Sequence, residues 1–186
     1  MNKNKFSLGM ILLLFASQIY AADYKVDPAH SFVTFRLQHL GYSWTYGQFN
    51  AISGTFSYDS ASPENSKISV QIDTATIDTN NAERDQAVRE NWLDVAGFPK
   101  ANFESTKYSG SGAEGVLEGT LILHGVSKPI SIKVKKVGEG KDPWGNYRAG
   151  FIGTTIFTRA DWGIPGNLGP KGEVMEFELG IEGIRM

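Results

Sequence analysis

The stretch Met175–Glu182, with the sequence MEFELGIE, alternates apolar and polar side chains along most of its length. Successive side chains of a β-strand point to opposite faces of the sheet, so this stretch predicts a strand. Met175, Phe177, Leu179 and Ile181 then share an apolar face, and three glutamates lie on the other face. We expect the apolar face to be buried and the acidic face to be in solvent.

The same period of two recurs along the chain, interrupted at short intervals by Gly, Pro, Asn and Asp. The further strand candidates are Val33–Gln38, Phe49–Tyr58, Ile68–Asp73, Asn102–Tyr108, Val116–Leu123, Ile130–Lys135 and Tyr147–Thr158. Strands joined by turns predict an all-β fold with antiparallel pairing. Eight of them suggest closure into a barrel, which is just wide enough to be filled by side chains or to hold one slim ligand. A β-sandwich is the structural alternative.

One segment departs from this pattern. Asn81–Val95 contains no Gly or Pro, and Val88, Trp92 and Val95 fall on one face of a helix. Asn80 or Asn81 can cap its first turn. We predict a single short α-helix of about three turns, lying on the barrel or closing one end.

The N-terminal segment is typical of a signal peptide. Residues 1–21 carry Lys3 and Lys5, then the short apolar run Leu8–Phe15, and they end in the small residue Ala21. We therefore expect export with cleavage after Ala21, and a single domain over residues 22–186. An uncleaved membrane anchor is the alternative.

The composition argues against several classes of function. Without Lys3 and Lys5, 16 basic and 20 acidic side chains remain, and a net charge of −4 gives no electrostatic reason to bind nucleic acid. The absence of cysteine rules out disulfides and thiol chemistry. The three histidines are far apart and lie in no metal-binding motif, so we predict no metal site. No Gly-x-Ser-x-Gly elbow is present, and we predict no catalytic residue and no cofactor.

The charged faces of the strands bear on whether the barrel spans a membrane. A charge on the lipid-facing side of a barrel costs about 2 to 4 kcal/mol at the bilayer midplane. If the apolar faces met lipid, the charged faces would have to line a wet lumen, and alternation alone leaves that arrangement open. The strands lack an aromatic girdle at both ends of the apolar face, so we expect a soluble barrel with apolar faces inward.

Several short motifs follow one another in a recognisable order. They are Ala22–Asp27, His30–Val33, Gln38–Ser43, Asp78–Asp85, Phe98–Ala101, Gly125–Pro129, Asp142–Gly145 and Arg159–Ile164. In this ordered set the chain resembles the YceI-like family of periplasmic, lipocalin-like proteins that bind polyisoprenoids. The resemblance implies a lipocalin-like barrel around a long hydrophobic pore, a periplasmic location and a ligand with an isoprenoid tail. It also raises a homodimer as an expectation. Trp162 departs from the family pattern, in which we expect Phe, and its larger ring is predicted to narrow the cavity.

Apolar side chains on the inward faces are the candidate lining of such a pore. They are Val33, Phe35, Leu37, Phe56, Val70, Ile72, Phe103, Leu121, Leu123, Phe177 and Leu179. Plain core packing is the alternative for each of them. Each non-hydrogen atom of a ligand contributes at most about 0.3 kcal/mol of binding free energy. A tail of about forty atoms could therefore bind tightly in this lining without a charged contact.

The aromatic segment His39–Phe49 is the candidate entrance to the pore. We predict a mobile loop whose Trp44 and Phe49 contact the ligand; a rigid hairpin is the alternative. His39 is the candidate hydrogen-bond donor to a quinone carbonyl or diphosphate, and a structural histidine is the alternative. Arg84 is the candidate headgroup ligand, and an arginine–carboxylate pair that fixes the helix is the alternative.

These observations lead to one functional prediction with two alternatives. We predict a binding protein that holds an isoprenoid lipid, of polyprenyl or quinone type, inside the barrel for transport or storage. The first alternative is an enzyme that acts on an apolar substrate through His39 and Arg84. The second is a structural, stress-related barrel whose core is filled and holds no ligand.

Overall fold

The computed structural model describes residues 21–111 and 113–186. Apart from Ala21, the predicted signal peptide, residues 1–21, lies outside this part of the chain. The described residues form eleven β-strands in a single antiparallel sheet. The strands are β1 (Ala22–Val26), β2 (Phe32–His39), β3 (Ser43–Phe49), β4 (Ile52–Tyr58), β5 (Lys67–Asp73), β6 (Ile77–Asp78), β7 (Lys100–Ser111), β8 (Glu114–Leu123), β9 (Val126–Lys141), β10 (Tyr147–Thr158) and β11 (Val174–Arg185).

The sheet closes on itself into a barrel of eight positions. The order β1-β4-β5-β7-β8-β9-β10-β11 returns to its start because β1 also pairs with β11. The strands β2, β3 and β6 continue the wall beyond β1, β4 and β5, with β2 on β11, β3 on β2 and β6 on β3. The predicted all-β, eight-stranded antiparallel barrel is therefore confirmed, and the sandwich alternative is wrong.

The sequence pattern missed β1, β6 and all of β3 except Phe49. In β3 the aromatic side chains Trp44 and Tyr46 are exposed, so the usual alternation is inverted there. The prediction of a mobile entrance loop over His39–Phe49 is wrong, because Ser43–Phe49 pairs with β2 along its whole length. A tight turn at Leu40 and Gly41, with φ of 54° and 81°, joins the two strands into a hairpin. Left-handed backbone of this kind favours glycine.

Phe32, an apolar residue on the predicted polar face of β2, is explained by its cross-strand neighbour. It lies opposite Gly180 of β11, and its ring fills the space that a side chain at Gly180 would need. The pair is a small apolar contact on the outside of the barrel and leaves the alternation of Val33, Phe35 and Leu37 intact.

The predicted helix begins at the expected residue and is confirmed as a short element. It comprises α1 (Ala82–Ala87) followed by a π-helical stretch, Val88–Trp92. Asn81 Oδ1 accepts a hydrogen bond of 2.9 Å from the backbone N–H of Arg84, which is an N-cap. β6 ends after two residues and pairs with β3 alone. The helix follows β6, and Arg89 Nη1 donates to the Ile77 carbonyl at 3.2 Å.

Candidate functional site

A large cavity, which we call the wide chamber, lies inside the helix-bearing half of the barrel. Its volume is about 660 Å³. Its inner wall is mainly aliphatic and aromatic, and it is contributed by β2, β3, β5 to β11, the helix and the segment after Trp162. The main apolar wall residues are Val33, Phe35, Leu37, Phe49, Ile72, Ile77, Val88, Trp92, Leu93, Ala101, Leu121, Leu123, Ile130, Ile132, Phe157, Ile164, Leu168, Met175, Phe177 and Leu179. The apolar faces of the strands therefore leave part of the interior empty. The alternative of a barrel without ligand requires a filled core, so this cavity argues against it.

The wide chamber opens between the β2–β3 hairpin and the helix. Most of the lining residues that are exposed to solvent fall on two segments, residues 39–46 and residues 80–87. Ser43, Trp44 and Tyr46 come from the first segment, and Asn80 and Arg84 come from the second. We call this opening the mouth. The exposed polar residues of the lining therefore lie at the surface, and the depth of the chamber is mainly apolar, with Thr155 and the buried Arg159 as polar lining residues away from the mouth.

A short hydrogen-bond chain fixes Arg84 at the mouth. Its Nε donates to Thr79 Oγ1 at 2.7 Å, and its Nη2 donates to the Thr79 carbonyl at 2.7 Å. The buried Asp85 carboxylate in turn accepts from the Thr79 hydroxyl and backbone N–H. The alternative of a direct arginine–carboxylate pair is wrong, since Arg84 reaches Asp85 through Thr79. The exposed guanidinium keeps further N–H groups for a ligand at the mouth.

Trp44 and His39 also lie at the mouth, on neighbouring strands. The Arg36 guanidinium lies 4.5 Å above the Trp44 ring and donates to Glu176 Oε2 at 2.6 Å. This stack holds Trp44 at the rim. His39 is exposed at the end of β2 and lines the same cavity.

A second and smaller cavity, which we call the narrow chamber, lies in the other half of the barrel. Its volume is about 120 Å³. Aromatic rings take up most of this half: Tyr24 stacks on Phe56 at 4.8 Å, and Phe151 meets the edges of Phe56 and Tyr58 at 5.7 and 5.0 Å. Ile132 and Leu179 line both chambers.

The predicted lining residues divide between the two chambers. With Trp162, sixteen residues are predicted to contact the ligand, and twelve of them line the wide chamber: Val33, Phe35, Leu37, His39, Trp44, Phe49, Ile72, Arg84, Leu121, Leu123, Phe177 and Leu179. Phe56, Val70 and Phe103 line only the narrow chamber. Their contact with a ligand stays a prediction.

Trp162 lines neither chamber, so the prediction that its ring narrows the cavity directly is wrong. It belongs to a 3-10 turn after β10, is 2% exposed, and packs on Phe157 at 4.4 Å. Phe157 is the residue that faces the cavity. The indole Nε1 is buried and has no hydrogen-bond partner among the described residues.

Sequence reasoning missed the segment that follows Trp162, which supplies Ile164 and Leu168 to the wide chamber. Arg159, 2% exposed, organises this segment. Its guanidinium donates to the carbonyls of Ile164 at 2.9 Å, Gly166 at 2.7 Å and Gly172 at 3.2 Å, and to Glu173 Oε1 at 2.8 Å. The segment is irregular, so no period of two or 3.6 marks its apolar residues.

A cluster of charged groups lies outside both chambers, around Arg148. Its guanidinium contacts Asp27 at 2.7 Å, Asp142 at 2.7 Å and Glu182 at 2.6 Å. These hydrogen bonds lower the pKa of Asp27 and of Asp142 to about 2. His30 joins Asp27 and Glu182 in a group with metal-ligand spacing. The Arg148 Nη1 atom binds both carboxylates of that group, so the arrangement is an ion-pair network.

Comparisons with known proteins agree with this geometry. The family described as YceI-like domain matches residues 24–182. A UPF0312 protein of Pseudomonas aeruginosa (strain LESB58) is 47% identical over 176 residues, which cover 93% of this chain and 92% of that protein.

Two solved structures share the fold. BcnA of Burkholderia cenocepacia superposes with a TM-score of 0.74 at 20% identity, covering 84% of this chain and 98% of that one. A polyisoprenoid-binding domain of Saccharophagus degradans, implicated in plant cell wall breakdown, has a TM-score of 0.66 at 15% identity, covering 90% and 100%. Within the described residues, none of the helices has the length and apolar character needed to cross a bilayer.

Proposed function

The chain belongs to the family of proteins with a YceI-like domain, and from this premise we propose that it holds the isoprenoid tail of a lipid in the wide chamber. The observation that carries the proposal is a cavity of about 660 Å³ with a mainly apolar wall, whose solvent-exposed polar residues lie at its mouth. The name of the Saccharophagus degradans domain supplies the ligand class.

The size of the wide chamber supports a long, slim guest. A cavity of about 150 Å³ holds a benzene molecule, so roughly 25 Å³ serve each non-hydrogen atom. On that scale about 660 Å³ admit about 26 atoms, or about five isoprene units. At about 0.3 kcal/mol per atom, such a tail binds with roughly micromolar affinity from apolar contact alone.

The placement of polar groups supports a headgroup at the mouth. Arg84 is held by Thr79 with N–H groups to spare, and His39 lies on the rim. A quinone carbonyl or a diphosphate accepts hydrogen bonds from such donors. The same distribution favours binding over catalysis, because the depth of the chamber, where the tail would lie, is lined mainly by hydrocarbon. The buried Arg159 is also among the lining residues, but its guanidinium donates to three carbonyls and to Glu173.

We place this function in the periplasm, as transport or storage of the lipid. The support is the composition of residues 1–21, which is typical of a cleaved signal peptide. A barrel that encloses a tail and leaves the headgroup at the surface suits a carrier, because the apolar part is shielded from water during transfer.

Mass spectrometry of lipids extracted from the protein purified from its native host tests the proposal. We expect an isoprenoid lipid in the wild type and a large loss of it in Ala101→Trp, because Ala101 lines the wide chamber and an indole there takes up about a third of the room. Ile156→Trp adds an indole on the outer face of β10, where Ile156 is 65% exposed, and should retain the lipid. Repeated preparations of wild type without isoprenoid, or equal loads in both variants, would contradict the proposal.

A further inference from the structure

The boundary between the two chambers consists of side chains. Ile132 and Leu179 line both cavities, one from β9 and the other from β11. Gly153 of β10 lies opposite Leu179 in the ladder. We call these three residues the neck.

The neck exists because Gly153 has no side chain. A Cβ atom at this position would lie 2.9 Å from Ile132 Cγ2 and 3.5 Å from Leu179 Cδ1. Both aliphatic side chains therefore extend over the glycine, into the space that a third inward side chain would occupy. A ligand that passes the neck from the wide to the narrow chamber must pass the side chains of Ile132 and Leu179. Truncating either side chain widens the neck without moving the backbone.

The volume of the wide chamber is smaller than the volume of a long isoprenoid tail. The wide chamber holds about five isoprene units on the benzene scale, and the narrow chamber holds about one more. A tail of about forty atoms exceeds the wide chamber by several units.

We propose that the Ile132–Gly153–Leu179 neck sets the length of isoprenoid tail that the barrel selects, with the narrow chamber as a subsite reached only when the neck opens. This inference rests on the proposed function and adds the determinant of chain length. Tails of up to about five units fill the wide chamber, and additional units of a longer tail stay at the mouth in water. In the wild type, affinity therefore rises with tail length and then levels off.

Binding of a short polyprenol, geranylgeraniol, and a long one, solanesol, tests this proposal. It is measured by the change in the fluorescence of Trp44 and Trp92, which line the wide chamber. In the wild type we expect solanesol to bind about tenfold more tightly than geranylgeraniol, because the wide chamber holds about five isoprene units and geranylgeraniol supplies four. Ile132→Ala opens the neck, and one further buried isoprene unit should raise the solanesol affinity about tenfold with geranylgeraniol nearly unchanged. Leu179→Ala opens the same neck from β11 and should change the ratio in the same direction.

Ile130→Ala is the matched control. Ile130 lies two residues before Ile132 on β9 and lines the wide chamber but not the narrow one. The Ile130→Ala variant enlarges the wide chamber by the same three carbons but leaves the neck closed, so the ratio should rise by less than in Ile132→Ala, since no part of the narrow chamber is added. Thermal melts of each variant check that the barrel is folded.

The outcomes separate the two proposals. If geranylgeraniol binds but neither Ile132→Ala nor Leu179→Ala changes the ratio, or if Ile130→Ala changes it equally, the neck does not set tail length and the proposed function stands. If neither polyprenol binds to the folded wild type, the proposed function fails and this inference fails with it.

Discussion

The two halves of the barrel share the strands β5 and β7 to β11 but leave very different amounts of space. The helix-bearing half encloses about 660 Å³, whereas the opposite half encloses about 120 Å³. In the opposite half, β1 completes a closed ring of paired strands, and Tyr24, Phe56, Tyr58 and Phe151 fill the interior with stacked and edge-on rings.

The difference shows that strand number alone does not decide whether a barrel is full. In the helix-bearing half β6 ends after two residues, and the helix follows where further strand pairing would otherwise continue. Val88 and Trp92 approach the interior from the helix and leave space between themselves and the strands. An eight-stranded barrel can thus be a packed core at one end and a binding site at the other.

The sharpest test of this contrast is a pair of phenylalanine truncations. Phe56→Ala removes a ring from the packed half and should cost about 4 kcal/mol of unfolding free energy, within the usual range for a buried phenylalanine. Phe177→Ala removes a ring that borders the wide chamber, and it should cost about 2 kcal/mol because part of that ring already faces empty space. Urea unfolding of both variants measures the difference. Equal costs would mean that the two halves are packed alike.

The sequence predicted the faces of the strands well because alternation is a local property. Leu37 and Leu179 point inward for the same reason that Arg36 and Glu178 point outward. Alternation does not say how far along the barrel axis a residue lies, so the pattern alone does not separate Phe56, Val70 and Phe103 from the residues of the wide chamber. The position of each residue along the axis depends on register, and register is a matter of long-range pairing.

The mouth was harder to predict for a related reason. Trp44 and Arg84 are 40 residues apart in sequence, and their proximity to one cavity depends on β6 being short and on the helix that follows it. Ile164 and Leu168 lie in irregular backbone that Arg159 stabilises, where no period marks the buried residues.

Replacing Arg159 tests whether the wide half depends on the segment after Trp162. Arg159→Met removes hydrogen bonds to three carbonyls and to Glu173, so we expect a loss of about 3 kcal/mol in unfolding free energy. Hydrogen exchange of residues 163–173 should increase, while β1 and β4 should keep their protection. Unchanged exchange in residues 163–173 would show that Arg159 does not organise this wall of the chamber.

Replacing Arg148 tests the outer surface of the packed half through its pH dependence. Arg148 holds the pKa of Asp27 and Asp142 at about 2, against an ordinary value of 3.8. A carboxyl group whose pKa is lowered by folding stabilises the folded state above pH 3.8, and that contribution is lost as the pH falls towards 2. The wild type should therefore be more stable than Arg148→Met above pH 4, and the difference should shrink between pH 4 and pH 2.

Urea midpoints measured from pH 2 to pH 7 follow this difference. Lys135→Met is the control, because the Lys135–Glu114 pair is mostly exposed and contributes little at any pH. A constant difference between wild type and Arg148→Met across the whole range would rule out the ion pairs as its source.

The smallest effect is expected at Trp162, behind the wall of the wide chamber. Trp162→Phe loses apolar contact with Phe157 but also removes a buried indole N–H that has no partner among the described residues. These two terms oppose each other, so the unfolding free energy should change by less than about 1 kcal/mol. Polyprenol affinity should stay within about twofold, because the indole lines neither chamber. A large change in affinity would show that the ring shapes the cavity after all.

The absence of cysteine allows the most direct test of where the tail lies. In Ala101→Cys a single thiol lines the wide chamber, and in Ile156→Cys a single thiol lies on the outer face of β10. The measurement is the rate at which each thiol reacts with a small neutral reagent, with and without geranylgeraniol. We expect geranylgeraniol at about ten times its Kd to slow labelling of Ala101→Cys by about tenfold, because only the unliganded fraction reacts, and to leave Ile156→Cys unchanged. If Ala101→Cys reacts at the same rate when the lipid is bound, the tail does not occupy the wide chamber.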